Sequence, residues 1–448
     1  MRTYREVAAE LAARITDGRW APGHRLPTHR RLAAEYGIAV ATATRVYAEL
    51  ERAGLVVGEP GRGTFVRDRS LRLSSASAPS RTDARERTPV RADLAFTQPL
   101  SPSRADLLRT ALRELAGAGD LDAVLRQQPP GGRPHDREIV ADFLRRRDVP
   151  AHATEVVLTN GAQHALDLVV RAMFSPGDVI AVDDLTYPGF KSLARAHGLE
   201  LAPIPTTATG PDLAALSRLC AHRPVRAIYT MPTLHNPLGW VLDASQRREL
   251  VSIARHHDLL LIEDAAYAFL ADPAPRPLAA AAPERTFWLS SLSKSVAAGL
   301  RFGMLVVPPT AAPAIGRTLR TTMASPPGLI SAVAIRWLAD GTVDTLEHAG
   351  RLAAEHHQRI LHRELGHLHP IAHPRSYFAW LPIDPDQRMD RIAAELSRRG
   401  IRVCTADLFA TTPHVPHALR LALGSPATEE LPAVLAEVRA VFDTVEPR

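Results

Sequence analysis

Ser291-Leu292-Ser293-Lys294-Ser295 lies at the end of an apolar run, and its lysine, seven residues before Arg301, is one of only two in a chain of 448 residues. Lysine and arginine together number 54, so arginine carries nearly all of the positive charge. Only lysine offers a primary amine that condenses with an aldehyde; a guanidinium stays protonated. A lysine retained in an arginine-rich chain points to Schiff-base chemistry at Lys294. On its own the stretch reads as a solvated surface lysine among serines, so its surroundings decide.

Short apolar runs at 156–158, 179–182, 227–231, 259–262, 287–289 and 304–307 alternate with helix-sized segments. That alternation argues for an α/β domain on a largely parallel sheet, whose ligands lie at the carboxyl ends of strands. The polar motifs fall at those ends. Thr159-Asn160-Gly161-Ala162-Gln163 closes one strand and opens a helix, whose free N–H groups suit a phosphate while Gly161 permits close approach. Many α/β proteins place a glycine there without a ligand. Ser291 and Ser293 supply hydroxyls and Arg301 a guanidinium for the same dianion, although Arg301 alone reads as a surface residue.

In Ile262-Glu263-Asp264-Ala265-Ala266-Tyr267 a carboxylate follows an apolar strand and needs a cationic partner, such as a protonated pyridine nitrogen. A metal ligand or a helix N-cap are the alternatives for Asp264. Leu234-His235-Asn236-Pro237-Leu238-Gly239 ends another strand, where Asn236 and Tyr267 are placed to donate to a phenolate oxygen on the same ring. Tyr187, in Thr186-Tyr187-Pro188-Gly189, stacks on the ring face or packs in a turn. Phosphate, pyridine, phenolate and aldehyde together describe pyridoxal 5'-phosphate (PLP). Its candidate contacts are Gly161, Ala162, Gln163, Tyr187, Asn236, Asp264, Tyr267, Ser291, Ser293, Lys294 and Arg301. Arg420, in Leu419-Arg420-Leu421-Ala422-Leu423-Gly424, lies in an apolar strand. It is a candidate for clasping a ligand carboxylate, with an internal ion pair as the alternative.

Residues 1–91 carry 17 arginines against 10 acids, an excess of +7 in a chain whose net charge is +6. The basic surplus thus belongs to the N-terminal fifth, which suits a polyanionic partner, while the remainder is near neutral. Tyr4, Val7, Ala8, Leu11 and Ile15 follow helical spacing up to Gly18. Thr28 reads as the N-cap of a second helix through Leu32, Ala33 and Tyr36, Gly37 is a turn, and a third helix runs from about Val40 to Ala53. Apolar segments at 55–57 and 64–66 flank Glu59-Pro60-Gly61-Arg62-Gly63, a hairpin tip. This is a winged helix-turn-helix whose third helix enters the major groove of duplex DNA. Arg30, Thr42, Thr44, Arg45, Arg62 and Gly63 are the candidate DNA contacts; taken singly each also reads as part of a solvated face. Residues 70–92 are Ser-, Ala-, Pro- and Arg-rich without periodicity, as expected of a tether.

At 46% hydrophobic the chain can bury a large core, and no apolar run approaches the ~18 residues that span a bilayer, so a cytoplasmic protein without membrane contact is expected. Cys220 and Cys404 offer neither a disulfide framework nor a metal cluster.

Residues 1–69, with Leu26-Pro27-Thr28, Arg30, Gly37-Ile38, Tyr47, Leu50 and Gly61-Arg62-Gly63-Thr64-Phe65-Val66, resemble the GntR-type winged helix. Asn236-Pro237 with Gly239, Asp264 with Tyr267, Ser291 with Ser293-Lys294, Arg301 and Arg420 resemble fold-type-I aminotransferases over 93–448. The fusion is similar to the MocR-type regulators. The resemblance implies a seven-stranded, mostly parallel sheet, a smaller C-terminal subdomain, a homodimer with swapped heads, and PLP that senses an amine or amino acid to shift transcription. Departures from the family are Ala39-Val40 where a Ser-Arg pair is usual, Arg31 where glutamate is frequent, Leu238 for threonine, and Gln127 where relatives carry a tyrosine that reaches the neighbouring subunit's phosphate. Sensing requires no turnover. A working aminotransferase carrying a winged helix, or an inert aminotransferase-like dimerisation domain, are the competing expectations.

Overall fold

The computed structural model describes residues 3–17, 19–20, 24–53, 55–59, 63–66, 90–98, 102–117, 121–384 and 386–444. The chain separates into two compact units, Met1–Arg87 with Arg388–Glu395 and Thr88–Gln387 with Leu396–Arg448. The expected tether lies outside the described residues except for 90–92, and so do Gly18 and Arg62.

In the small unit, α1 (Tyr4–Thr16) opens with a capping box: Glu6 N–H donates to Thr3 Oγ1, and the Thr3 N–H donates to the Glu6 carboxylate at 2.9 Å. It ends at Thr16, one turn residue short of Gly18, with Asp17 as C-cap. α2 (His29–Tyr36) starts where Thr28 accepts the Arg31 N–H and stops at Gly37, whose φ of +62° is left-handed. α3 (Val40–Arg52) follows, then β1 (Val56–Glu59) and β2 (Gly63–Val66), antiparallel and in register from Val56↔Val66 to Glu59↔Gly63. Leu11, Leu32, Ile38, Val46, Leu50 and Val66 interlock in one core, so the periodic apolar positions hold the three helices and the wing together. Tyr47 ties α3 to the α2 entry by donating to the Pro27 carbonyl at 2.5 Å.

The large unit is built on a seven-stranded sheet of β3 (Val156–Thr159), β4 (Val179–Asp183), β5 (Glu200–Ile204), β6 (Val225–Thr230), β7 (Leu260–Asp264), β8 (Thr286–Ser291) and β9 (Gly303–Val306), in the order β3-β9-β8-β7-β6-β4-β5. The run from β8 to β5 is parallel; β9 alone among these strands is reversed, lying antiparallel to β3 and β8. Helices cover both faces: Ile180, Tyr229, Ile262 and Leu289 pack on one side, and Val156, Leu158, Trp288 and Met304 on the other. Burial on both faces is why these strands read as continuous apolar runs. α4 (Ala162–Met173) follows β3, and α5 (Pro188–Ala196) follows β4.

A second sheet places β10 (Phe378–Pro382), β12 (Ala418–Ala422) and β11 (Cys404–Thr405) side by side, with Arg420 opposite both Trp380 and Cys404. Ala92–Asp93 pairs with Ile401–Arg402, and the Ala422 N–H donates to the Leu94 carbonyl at 2.7 Å, so residues 92–97 run along this subdomain toward the main sheet. Among the described residues no helix is long and apolar enough to cross a membrane.

Candidate functional site

The reversed strand organises one end of the site. Gly303 opens β9 opposite the last residues of both neighbours, Thr159 of β3 and Ser291 of β8. A Cβ at Gly303 would stand 2.4 Å from Thr159 Oγ1 and 2.6 Å from the Gly161 carbonyl carbon, so the glycine permits this convergence. Gly161 has φ +83° and opens α4, whose first N–H groups, including those of Ala162 and Gln163, have no partner within the helix. Arg301, in the left-handed region at φ +49°, donates from Nη1 to Ser293 Oγ and from Nη2 to the Asn160 carbonyl, both at 3.3 Å. It therefore bridges the ends of β3 and β8, although exposed as an isolated arginine would be. Ser291 is buried at the end of β8, and Gln163 reaches the Gly189 carbonyl at 3.2 Å while its Oε1 has no partner.

Asp264 ends β7, 2% exposed. It accepts the Tyr229 hydroxyl at 2.9 Å and the Ala266 N–H at 3.0 Å, so it caps the following turn with one oxygen only. Burial pushes its carboxyl up to about 6, opposed by the Tyr229 and Ala266 hydrogen bonds and the Lys294 charge. Among the described residues no cation lies within ion-pair distance of Asp264, and no group of three or more His, Cys, Asp or Glu is placed to hold a metal. Half-buried Tyr187 precedes α5, its hydroxyl held far above the ordinary range by burial, the Asp264 charge and Tyr267, with Arg301 opposing. Asn236 is buried beside a cis bond to Pro237, and its Oδ1 has no partner. Tyr267 is buried edge-on to Phe378, its ring centre 6.0 Å from Lys294 Nζ. Lys294 is partly buried rather than solvated and donates to the Thr97 carbonyl at 2.9 Å.

Arg420, 6% exposed, donates to the Ala95 carbonyl at 2.5 Å and approaches Cys404 Sγ at 3.5 Å. The Phe378 and Phe409 rings flank its guanidinium at 6.0 and 5.5 Å, and its Nε has no partner. No described carboxylate pairs with it, which removes the internal ion pair. The segment 95–97 thus holds both cations, Arg420 through Ala95 and Lys294 through Thr97. Sequence reasoning missed this segment because carbonyl acceptors carry no side-chain signature. It also missed Tyr229, whose one signal is a hydroxyl inside an aliphatic strand.

In the small unit Arg30 is exposed on α2; Thr44 and Arg45 are exposed and Thr42 half-buried on α3; Gly63 is exposed at the start of β2. Arg25, not anticipated from sequence, is exposed at the base of the wing, in a bridge with Phe65 and beside Gly63. Ala39 provides no side-chain cap for α3, and Val40 is 47% exposed, so the atypical pair leaves this helix start without a hydroxyl or a charge.

Residues 92–438 match the family model for aminotransferase class I and II, and residues 3–66 match that for bacterial regulatory proteins of the gntR family. The HTH-type transcriptional regulator YjiR of Escherichia coli K12 is 30% identical over 330 residues, covering 68% of this chain and 68% of YjiR. MocR of Rhizobium meliloti, by name a regulatory protein of rhizopine catabolism, is 26% identical over 88% of this chain and 82% of its own length. The chain belongs to the MocR-type transcriptional regulators of the GntR family. A solved kynurenine aminotransferase from Pyrococcus horikoshii superposes with a TM-score of 0.74 at 20% identity, over 80% of this chain and 91% of that one, a likeness of fold. This MocR-type regulator therefore joins a DNA-binding helix-turn-helix to a fold-type-I aminotransferase fold, a family of PLP-dependent proteins.

Proposed function

We propose that this regulator holds PLP at Lys294 and reads an amine or amino acid there, changing how a homodimer engages operator DNA. The observation that carries the reading is a pair of unanswered charges in one site. Among the described residues Asp264 is a buried carboxylate with no cation in ion-pair contact and Arg420 a buried guanidinium with no carboxylate in contact, and each such charge is costly until matched. A pyridinium answers the first, and the carboxylate of an amino acid answers the second.

When bound, PLP supplies an aldehyde that condenses with a primary amine and a ring that withdraws electrons from it. The residues present fit that group. Arg301, Ser291, Ser293 and the N–H groups at Gly161, Ala162 and Gln163 would hold its phosphate, and a side chain at Gly161 would fill that cradle, meeting Arg301 Nη2 at 2.7 Å. Asp264, kept as an acceptor by Tyr229, would face the ring nitrogen. Asn236 and Tyr267 would donate to the ring oxygen, and Tyr187 would cover a ring face. Lys294, steadied by Thr97, would hold the aldehyde and would give way to an incoming amine, and Arg420 would clasp the newcomer's carboxylate.

In the small unit Arg30, Thr42, Thr44, Arg45 and Gly63, together with Arg62, would contact DNA, which is the role of the 1–69 module in this reading. Leu121, Leu125, Met323 and Leu329, between 45 and 83% exposed, support a second copy of the chain as neighbour. An effector shifts DNA affinity only by binding two arrangements of the heads unequally.

The experiment is to load the full chain with PLP, titrate amines while following the cofactor's absorbance, and repeat the active ones in an operator-binding assay. A spectral shift, a matching change in DNA affinity and slow or absent turnover with 2-oxoglutarate are expected. A protein that stays colourless in excess PLP, with no borohydride-trapped mass at Lys294, overturns the reading. Rapid multiple turnover assigns an aminotransferase instead.

A further inference from the structure

Lys191 is the second of the two lysines, and its ammonium is used for geometry. It lies in the first turns of α5 and donates to three backbone carbonyls of the C-terminal subdomain: Asp407 at 3.2 Å, Leu408 at 2.7 Å and Ala410 at 2.5 Å. The short helix Ala406–Leu408 ends there, so these carbonyls converge without helical partners of their own. An ammonium points three donors outward on a cone and meets such a cluster; the donors of a guanidinium lie in one plane and do not. That contrast explains a lysine where the chain otherwise uses arginine.

The surrounding backbone shows what the lysine secures. Leu185 bridges Ala410, the Thr186 N–H donates to the Phe409 carbonyl at 2.9 Å, and the Thr411 N–H donates to the Asp184 carbonyl at 2.8 Å. The stretch that carries Tyr187 is thus stitched to the turn 406–411. Within that turn the Phe409 ring lies 5.5 Å from the Arg420 guanidinium and edge-on to Trp380, which is opposite Arg420 across β10 and β12. We infer that Lys191 is a positioning residue for the carboxylate subsite, fixing the turn 406–411 and, through Phe409, the aim of Arg420. The inference rests on the reading of Arg420 given under the proposed function. It makes recognition of a carboxylate-bearing effector depend on a residue that touches neither cofactor nor effector.

The test uses the full-length, PLP-loaded chain with Lys191→Met, Lys191→Arg and Arg420→Leu. Each is titrated spectroscopically with L-alanine against ethylamine and with L-phenylalanine against phenethylamine. Lys191→Met is expected to weaken both amino acids about ten-fold or more while leaving both simple amines within about two-fold, and Lys191→Arg to behave as Lys191→Met. In the Arg420→Leu background Lys191→Met should add nothing, as two changes along one route do. Equal weakening of amines and amino acids, or a Lys191→Arg protein indistinguishable from wild type, overturns the inference. If wild type responds to no amine, the proposed function falls and amide exchange decides on the lysine. Residues 406–411 are expected to exchange faster in Lys191→Met, and unchanged exchange there refutes its positioning role.

Discussion

Asp264 is the residue whose protonation the fold sets most plainly. Its carboxyl titrates near 6 when folded against an ordinary value of 3.8, because burial disfavours the charge. The folded state therefore holds this proton more tightly. Its contribution to stability is fully present below pH ~4 and is lost as pH rises through about 6. Without PLP, Asp264→Asn should be more stable than wild type at pH 7.5, on the order of 2 kcal/mol, and its stability should be flatter between pH 4 and 6. Chemical denaturation across that range measures both. The same variant should bind PLP at least about a hundred-fold more weakly, since it removes one member of a buried charged pair. A variant that is both less stable and unchanged in PLP affinity would contradict this account. Asp264 and Lys294 stood out in the sequence because an acid after an apolar strand and a lysine in an arginine-rich chain are chemically conspicuous. Tyr229 and the acceptor carbonyls at 95 and 97 did not, since only the fold brings them to Asp264, Arg420 and Lys294 respectively.

At the scale of elements, strands were readable where both faces are buried, and β5 was not, because at the sheet edge Glu200–Ile204 alternates exposed and buried residues and contains Pro203. The reversal of β9 was equally hidden, since composition carries no strand direction. Its cost in sequence freedom falls on Gly303: Gly303→Val should push the ends of β3 and β8 apart and lower PLP affinity at least about ten-fold, with secondary structure kept. Absorbance titration with circular dichroism separates the two effects. In the small unit the helix-turn-helix was legible from Thr28, Gly37 and the apolar spacing. Ala39, with extended backbone and no capping side chain, leaves room for gain. Thr42 N–H already donates to the Ala39 carbonyl at 2.9 Å, so Ala39→Ser should slow amide exchange at residue 41 and stabilise the unit by roughly 1 kcal/mol. Unchanged exchange would mean that the α3 amides are satisfied in some other way.

Taken as a whole, the chain carries its net positive charge in residues 1–91. Binding to duplex DNA should weaken steeply with salt, and Arg45→Ala should reduce the slope of log affinity against log salt by about one if that guanidinium meets a phosphate. A slope unchanged by Arg45→Ala would remove it from the interface. Domain order was readable from this charge asymmetry and from the change in periodicity after the arginine-rich stretch; the exposed leucines were not, because residues such as Leu125 become conspicuous only when the surface is known.

The edge position of β3 has a consequence for synthesis. Its hydrogen-bonded neighbour, β9, leaves the ribosome only after residues 160–302 have been made. At usual translation speeds that interval is on the order of ten seconds, during which the phosphate cradle has only one wall. Under the proposed function, a nascent chain would emerge without a complete cradle, and PLP would be loaded only after β9 has been made.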